Sequence, residues 1–333
     1  MPDRITTLAF VGDLMLGRGV SLAAASRPPE SFWSDVLPVL RDAAAVIGNL
    51  ETPITTHRTA WRGGFKAFRF RADPGTVALL KAANVRAVAL ANNHILDRRA
   101  RGLCDTLAHL DAAGICHAGA GRSLEQAVEP GILELDGLRV GLIALTDNMP
   151  EFAAGPARPG TNFVAIDDIG ATLALVERLV RDLRRAGVDF IVLSAHWGPN
   201  LRIAPPAHFR AFARAAIDVG VDVFHGHSAH LYQGVEARAG GLILYDTGDF
   251  LDDYWIFPFV RIDRSFVFLV DLLGRRPIRL RMLPVIIERG RVRRARWHEA
   301  AAHHRGMIRR SRRFGSSLTA TADGLELGVP AGP

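Results

Sequence analysis

The stretch VDVFHGHSAH, residues 221–230, decides the fold prediction, because an apolar run ends there in a polar cluster. A helical pattern at 206–219 precedes it. Before that helix lies VDFIVLSAHWG (188–198), another apolar run that ends in polar residues. Strand, helix, strand repeats of this kind predict a mainly parallel sheet with helices on both faces, and hence an α/β fold.

The same alternation extends back to the N-terminus. Apolar runs that predict strands lie at 6–13, 44–51 and 85–94, and helical patterns lie at 34–43, 74–84, 98–114 and 166–186. Residues 131–148 read as two strands around Asp136-Gly137, which is a hairpin signal.

From residue 232 the pattern changes to closely spaced strands. Their predicted positions are 234–238, 242–246, 265–273, 278–287 and 291–297. They suggest a second, antiparallel sheet that packs on the first, within a single domain over residues 1–314. Residues 315–333, rich in Gly, Ser, Thr, Ala and Pro, are predicted to form a loosely held, flexible tail.

The composition is that of a soluble globular protein. Hydrophobic residues make up 49% and charged residues 23% of the 333, and no apolar run is long enough for a transmembrane helix. The apolar stretch near the N-terminus carries Asp13 and reads as a strand rather than a signal peptide. We therefore expect a cytoplasmic protein in which Cys104 and Cys116 are reduced and packed.

The net charge of +7 is carried mainly by arginine, since lysine occurs only at positions 66 and 81. The excess of basic residues is concentrated towards the C-terminus, in ERGRVRRARW (288–297) and RGMIRRSRRFG (305–315). These segments predict a solvated strand edge followed by a basic helix or tail, or else attraction to an anionic substrate, nucleic acid or membrane surface. No RNA-binding motif or zinc-finger spacing accompanies the arginines, so we do not expect nucleic-acid binding.

Six predicted strands end in residues that can bind a metal. The ends are Gly12-Asp13, Gly48 to Glu51, Ala91 to His94, Ser194 to Gly198, Gly226 to His230 and Thr247 to Phe250. Each residue alone has a simpler explanation, such as a turn for Asn92 and Asn93 or a buried position for His196. Because ligands bind beyond the carboxyl ends of the strands in open α/β sheets, the repetition predicts a metal site.

The ligand types restrict the metal. Carboxylate, carboxamide and imidazole groups without thiolate suit divalent Mn, Fe or Zn, with Mg or Ca as alternatives. A carboxylate that bridges two ions would form a two-metal clamp, which activates water and stabilises an anionic transition state. Since only neutral imidazole binds a metal, we expect affinity to weaken as the pH falls towards about 6.

The order of the motifs carries a family resemblance. The motifs are FVGDLMLGR, GNLETPIT, ALANNHILD, SAHWG, GHSAHLYQGVE and YDTGDF, within about residues 5 to 273. Their order resembles the calcineurin-like metallophosphoesterase superfamily and, within it, the CapA family of capsule and poly-γ-glutamate synthesis. The resemblance implies a four-layer α/β/β/α sandwich of mixed sheets, with the metal site at the carboxyl ends of the strands.

The resemblance also implies a role for each residue of the site. The metal ligands would be Asp13 and His230 at one ion, Asn93, His196 and His227 at the other, and Glu51 as the bridge. His94, directly after Asn93, would be the acid/base that protonates a leaving group or stabilises its charge. His225 matches no ligand position, and we interpret it as a supporting residue.

Two positions depart from the superfamily pattern. Where the first motif usually has Asp-x-His, Asp13 is followed by Leu14 and Met15, and a thioether cannot replace a hard nitrogen or oxygen ligand. Glu51 stands where phosphoesterases usually have Asp. Both changes are general in the CapA-like branch, and they put ordinary phosphoesterase activity in doubt.

An acidic segment, DTGDFLDDYW (246–255), follows the histidine cluster. Its carboxylates could orient the histidines or could belong to a solvated loop, and we favour a functional role for Asp249 and for Asp253. His230, with a nearby Asp, is also a candidate acid/base. Asp97 is either the partner of His94 or the N-cap of the helix at 98.

Three functions follow as hypotheses. The first is a metal-dependent hydrolase or transferase that acts on a phosphoester or a γ-glutamyl/amide bond. The second is a metal-assisted peptide epimerase, as in a CapA-like branch of lasso-peptide biosynthesis, because the chain lacks the membrane anchor common among capsule-synthesis members and its histidines have Asp neighbours. The third is a non-catalytic protein that binds an anionic polymer through its arginine-rich C-terminal region.

Overall fold

Two mixed β-sheets pack face to face and carry helices on their outer faces. The computed structural model describes residues 5–166, 168–255 and 259–332. The strands are β1 (Ile5–Leu14), β2 (Ala45–Leu50), β3 (Val85–Ala89), β4 (Cys116–Ala118), β5 (Ala120–Gly121), β6 (Gly131–Leu135), β7 (Leu138–Thr146), β8 (Gly160–Thr161), β9 (Phe190–His196), β10 (Val223–His227), β11 (Val235–Arg238), β12 (Gly241–Leu244), β13 (Asp249–Leu251), β14 (Arg264–Leu273), β15 (Arg276–Ile287), β16 (Val292–Arg294), β17 (Thr319–Ala320) and β18 (Leu325–Gly328).

The α-helices lie mostly between parallel strands. They are α1 (Arg18–Ala24), α2 (Leu37–Asp42), α3 (Val77–Ala82), α4 (Arg99–Ala113), α5 (Leu124–Val128), α6 (Ile169–Arg185), α7 (Ala207–Asp218) and α8 (Trp297–Arg312). Short 3₁₀ turns lie at Pro29–Phe32, Ser34–Val36, Pro74–Thr76 and Pro150–Phe152. Within the described ranges, no helix is long and apolar enough to cross a bilayer.

The first sheet has the strand order β17-β18-β15-β14-β1-β2-β3-β4, with β13 on β1 and β16 on β15. The second has the order β11-β12-β10-β9-β7-β6. Strands β1 to β4 are parallel, as are β7, β9, β10 and β12, and antiparallel strands extend both sheets. A separate short ladder joins β5 and β8.

The alternation of side chains along β1 shows how the layers arise. Leu8 and Phe10 pack between the two sheets, whereas Ala9 and Val11 pack under the outer helices. Successive strand residues point to opposite faces, so one apolar strand serves two cores. Helices α3 and α4 cover the first sheet, and α6 and α7 cover the second. The expected four-layer α/β/β/α sandwich of mixed sheets is confirmed.

The prediction of a second, purely antiparallel sheet is wrong. The late strands divide instead between both sheets: β11 and β12 continue the second sheet beside β10, and β14 and β15 continue the first beside β1. Strand spacing along the chain identifies hairpins, but it does not show which earlier strand in the sequence each hairpin pairs with. Since β1 has a free edge for β14, the hairpin extends a sheet rather than starting one.

Part of the segment that was predicted to be a loose tail is paired with the first sheet. Within it, β18 pairs antiparallel with β15, and β17 pairs with β18. Leu325, Leu327 and Val329 are buried in the core between the sheets. The alternation of apolar residues from 325 to 329 is a strand pattern, and its burial outweighs the turn-rich composition around it. The chain therefore folds back on the sheet beyond residue 314.

Candidate metal centre

The predicted site residues come together because five strands end at one edge of the sandwich. In the first sheet, Asp13 at the end of β1 lies opposite Asn49 on β2 and Asp249 on β13. In the second sheet, His196 on β9 lies opposite His227 on β10. The ends of the two sheets face each other, so carboxylates from one sheet meet imidazoles from the other.

One cluster consists of Asp13, His196 and His227, all buried and close enough to share an ion. The Nδ1 atom of His227 lies 3.7 Å from Asp13 Oδ1, and it lies 3.0 Å from Nδ1 of His196. Burial lowers the pKa of both imidazoles well below the usual value. Both rings are therefore neutral at physiological pH, which is the form in which imidazole binds a metal.

A second cluster shares Asp13 and adds Glu51, His230 and Asp249. His230 Nδ1 lies 2.8 Å from Asp249 Oδ1 and 3.9 Å from Asp13 Oδ2. Glu51 Oε1 lies 3.8 Å from His196 Nε2 in the first cluster. Asp13 thus belongs to both clusters, and Glu51 lies between them.

Unpaired oxygen atoms show that the residues fit a divalent cation. Asp13 Oδ2, Glu51 Oε2, Asn93 Oδ1 and Asp249 Oδ2 are buried and have no hydrogen-bond donor among the described residues. Burial, with the neighbouring carboxylates, raises the pKa values of Asp13, Glu51 and Asp249 well above normal. A bound cation would provide the compensation that the protein itself does not. The unpaired side-chain oxygen of Asn93 is a further candidate ligand for such a cation.

His94 lies at the rim of the second cluster with its own partners. Its Nδ1 is 2.6 Å from Asp97 Oδ2, and its Nε2 is 4.0 Å from Glu51 Oε1. The ring packs on Phe70 at a centroid distance of 4.3 Å. Burial lowers the pKa of His94 to about 4, although Asp97 acts in the opposite direction. His94 is therefore neutral, and its Nε2 lone pair faces the site.

Asp97 is the partner of His94 and not the cap of the following helix. Helix α4 has Arg98 at its N-cap position, with no side-chain capping bond. Asp97 Oδ2 also accepts from the Phe70 amide (2.6 Å), and Oδ1 pairs with Lys66 Nζ at 2.5 Å. These donors hold the carboxylate in place, which fixes the tautomer in which His94 Nδ1 donates to it.

Lys66 is the main residue that the sequence reasoning missed. Its ammonium contacts Asp97 and the Asn93 carbonyl, and it lies 4.9 Å from the centre of the Phe152 ring. Burial lowers the pKa of Lys66, although the nearby Asp97 carboxylate acts to raise it. Lys66 lies in an irregular loop far along the chain from His94. The only signal in the sequence was that lysine is rare in this arginine-rich chain.

Two asparagines also hold the site without having been assigned a role. Asn49 Nδ2 donates to Asp13 Oδ1 at 2.7 Å and lies 3.4 Å from His196 Nδ1. Asn92 donates to Asn49 Oδ1 at 3.0 Å and accepts from the backbone of His94 at 3.0 Å. Through these bonds, the ends of β1, β2 and β3 are tied to one another.

His225 lies next to His227, with the centres of the two rings 5.3 Å apart. Its Nε2 lies 3.0 Å from the Val11 carbonyl, and its Nδ1 lies 3.3 Å from Ser194 Oγ. The same hydroxyl lies 2.8 Å from His227 Nε2. His225 therefore orients His227 through Ser194 and does not face the carboxylates.

The aspartates of the acidic segment after β12 make different contacts. Asp246 accepts from the Ala229 amide at 2.9 Å, and so holds the loop in which His230 has a left-handed backbone (φ 58°). Asp249 bonds to His230, as described above. Asp253 accepts from the Gly19 amide at 2.8 Å and pairs with Arg18, which is a structural contact and not a bond to the site.

Met15, which stands in place of the usual histidine, is buried. Its sulfur accepts a hydrogen bond from the Gly17 amide at 3.2 Å. The ring of Tyr254 lies 5.7 Å from that of His230 and 5.9 Å from that of Phe70. Burial and the nearby carboxylates raise the pKa of its phenol, so it remains a hydrogen-bond donor there.

The fold and this cluster define the class of protein. It is a calcineurin-like α/β protein with buried carboxylates and histidines, able to hold a metal ion, at the ends of its strands. The family described as "Bacterial capsule synthesis protein PGA_cap" matches residues 7–254, and the chain belongs to this family.

Curated relatives agree with this membership. A Mycobacterium tuberculosis protein named "Probable polyglutamine synthesis accessory protein" is 33% identical, over 99% of this chain and 97% of its own length. The "PGA biosynthesis protein CapA" of Bacillus subtilis is 28% identical over 75% of this chain and 64% of its own length. The "Capsule biosynthesis protein CapA" of Bacillus anthracis is 28% identical over 74% of this chain.

Proposed function

We propose that the chain is a metal-dependent enzyme that hydrolyses or transfers a γ-glutamyl amide bond of a glutamate polymer. The observation that carries this proposal is the His94–Asp97 pair beside buried carboxylates that lack donors. The choice of a glutamate polymer is supported by the relatives, whose names refer to polyglutamine or PGA synthesis. A phosphoester is the other substrate that such a site could act on.

The ion would be held by Asp13, His196 and His227, with Glu51, Asn93, His230 and Asp249 available for a second position. When bound, a divalent ion supplies Lewis-acid activation and stabilises negative charge on the reacting group. The neutral Nε2 of His94 can accept a proton from the attacking group and return it to the leaving amine. Asp97 stabilises the imidazolium that forms in between.

The test is a His94→Gln variant assayed on γ-glutamyl oligomers and on phosphoesters, with products read by mass spectrometry. We expect turnover to fall by about 10²- to 10⁴-fold, because a general acid/base is lost, while metal content stays unchanged. His298→Gln, at an exposed histidine of α8, is the matched control and should retain activity. Undiminished turnover in His94→Gln would refute the role of His94.

A second candidate function rests on a specific observation. The site contains two His–Asp pairs, His94–Asp97 and His230–Asp249, which could remove and return a proton on opposite faces of a Cα. Such a peptide epimerase would incorporate deuterium from D₂O at one Cα without cleavage. Cleavage of the oligomer without Cα exchange would favour the first function over this one.

A further inference from the structure

A separate cavity lies behind the loop that carries His230. Its volume is about 280 Å³, and its walls come from Tyr232, from α8 and from Phe259, Val260, Arg261 and Arg264. Leu231, the residue after His230, forms part of the wall. The metal centre uses none of the polar groups of this cavity.

The cavity is strongly cationic. Arg264, Arg309 and Arg310 line it, and no carboxylate does so in the described part of the chain. Arg261 also lies in the wall, but its guanidinium is paired with Asp263 at 2.5 Å. The Nε atoms of Arg264 and Arg310 are buried without an acceptor among the described residues. Buried guanidinium donors that lack acceptors are costly unless a ligand pairs with them.

Arg310 is held in a defined position by Tyr232. The guanidinium of Arg310 stacks on Tyr232 at 4.3 Å from the ring centre and donates to the Tyr232 carbonyl. A Cβ on Gly306 would lie 2.5 Å from the Tyr232 hydroxyl, so a glycine is needed for α8 to approach the phenol. Burial raises the pKa of this phenol, and all three arginines lie close enough to act in the opposite direction.

We infer that this cavity, which we call the α8 arginine pocket, binds an oxyanion such as a carboxylate or a phosphate group. Planar guanidinium groups pair with both anions through two parallel hydrogen bonds. An anion in the pocket reduces the mutual repulsion of the three cations that line it. The exposed side chains of Leu201, Ile203 and Phe259 flank the opening, so the ligand can also carry an apolar or extended part.

The test is calorimetric titration of the full chain, with chelator present so that no metal-bound anion contributes. The two probes are inorganic phosphate and a short γ-linked glutamate oligomer, at constant ionic strength. We expect at least one to bind saturably, and Arg264→Gln to weaken that binding by about tenfold or more. Binding of phosphate alone identifies a phosphoryl ligand, and binding of the oligomer alone identifies a carboxylate ligand.

Two further variants make the outcome decisive. Arg309→Gln, at an exposed wall residue, tests the pocket if Arg264→Gln fails to fold. Arg305→Gln is the matched control, because Arg305 is exposed on the same helix but does not line the pocket. The inference is overturned if neither probe binds, or if Arg305→Gln weakens binding as much as Arg264→Gln and Arg309→Gln do.

Discussion

At the scale of single residues, the site depends on chains of hydrogen bonds behind the groups that face the ligand. His94 was assigned from its place after Asn93, and Asp97 was left with two possible roles. The structure assigns Asp97 to His94 and adds Lys66 behind it. Sequence could predict His94 and its neighbour because they lie within one motif. It could not predict Lys66, because a contact made by a distant irregular loop leaves no periodic pattern.

Replacement of Lys66 by Met tests this chain of contacts. We expect turnover to fall by about 10- to 100-fold, because Asp97 loses the cation that fixes it. The charge of Lys66 also lowers the pKa of His94, so its loss should move the acidic limb of the pH–rate profile to higher pH. Lys81→Met, at an exposed lysine, is the control. A lower rate with an unshifted acidic limb would mean that Lys66 is only structural.

At the scale of secondary-structure elements, the ends of the strands were predictable and their partners were not. The polar clusters after β1, β2, β9 and β10 mark the carboxyl ends of strands, and the structure brings them to one edge. The membership of each sheet depends on pairing between distant segments, which local pattern does not encode. For this reason β14 and β15 were predicted in the wrong sheet, although their boundaries were close to those observed.

The contact between β1 and the start of β13 is the tightest backbone approach at the site. Asp13 N donates to Gly248 O at 2.9 Å, and a Cβ on Gly12 would lie only 1.7 Å from that oxygen. We expect Gly12→Ala to separate the strands, lower the free energy of unfolding by about 3 kcal/mol and displace Asp13. Chemical denaturation and metal content are the measurements.

The control for this substitution is Gly75→Ala. A Cβ there meets no atom within 4 Å, so we expect stability close to that of the wild type. Equal stability of Gly12→Ala and the wild type would contradict the close approach of β1 and Gly248.

At the scale of the whole molecule, the four layers explain why so many charged groups can be buried at one edge. Two sheets with helices outside exclude water from the facing strand ends, and the C-terminal segment completes the first sheet through β18. The segment 315–333 was predicted to be loose because its composition resembles a linker. A short strand within such a segment is recognised only when its partner is known.

The burial of carboxylates predicts how stability depends on pH. Burial raises the pKa values of Asp246 and Asp252 to about 7, and it raises those of Asp13 and Glu51 well above the usual range. The folded state then keeps protons that the unfolded chain has released, so stability falls as the pH rises through this range. Below about pH 6.5 the buried histidines have the opposite effect on stability. Their imidazoles bind protons in the unfolded chain but stay neutral in the folded protein, so they make stability rise with pH.

The measurement is the Tm of metal-free protein between about pH 6.5 and 8, where the carboxylates dominate. We expect Tm to fall with rising pH, by about 2–4 °C for each kcal/mol lost, and a divalent ion to reduce this fall. A Tm of the metal-free protein that stays level or rises over this range would contradict the burial of ionisable carboxylates.

The central claim is that the strand ends form a metal centre, and elemental analysis of the purified protein tests it most directly. We predict at least one divalent ion per chain in the wild type and in His298→Ala, whose histidine is exposed on α8. We predict loss of most of that metal in His227→Ala, because His227 and Asp13 belong to the same cluster. Full metal content in a folded His227→Ala variant would contradict the account.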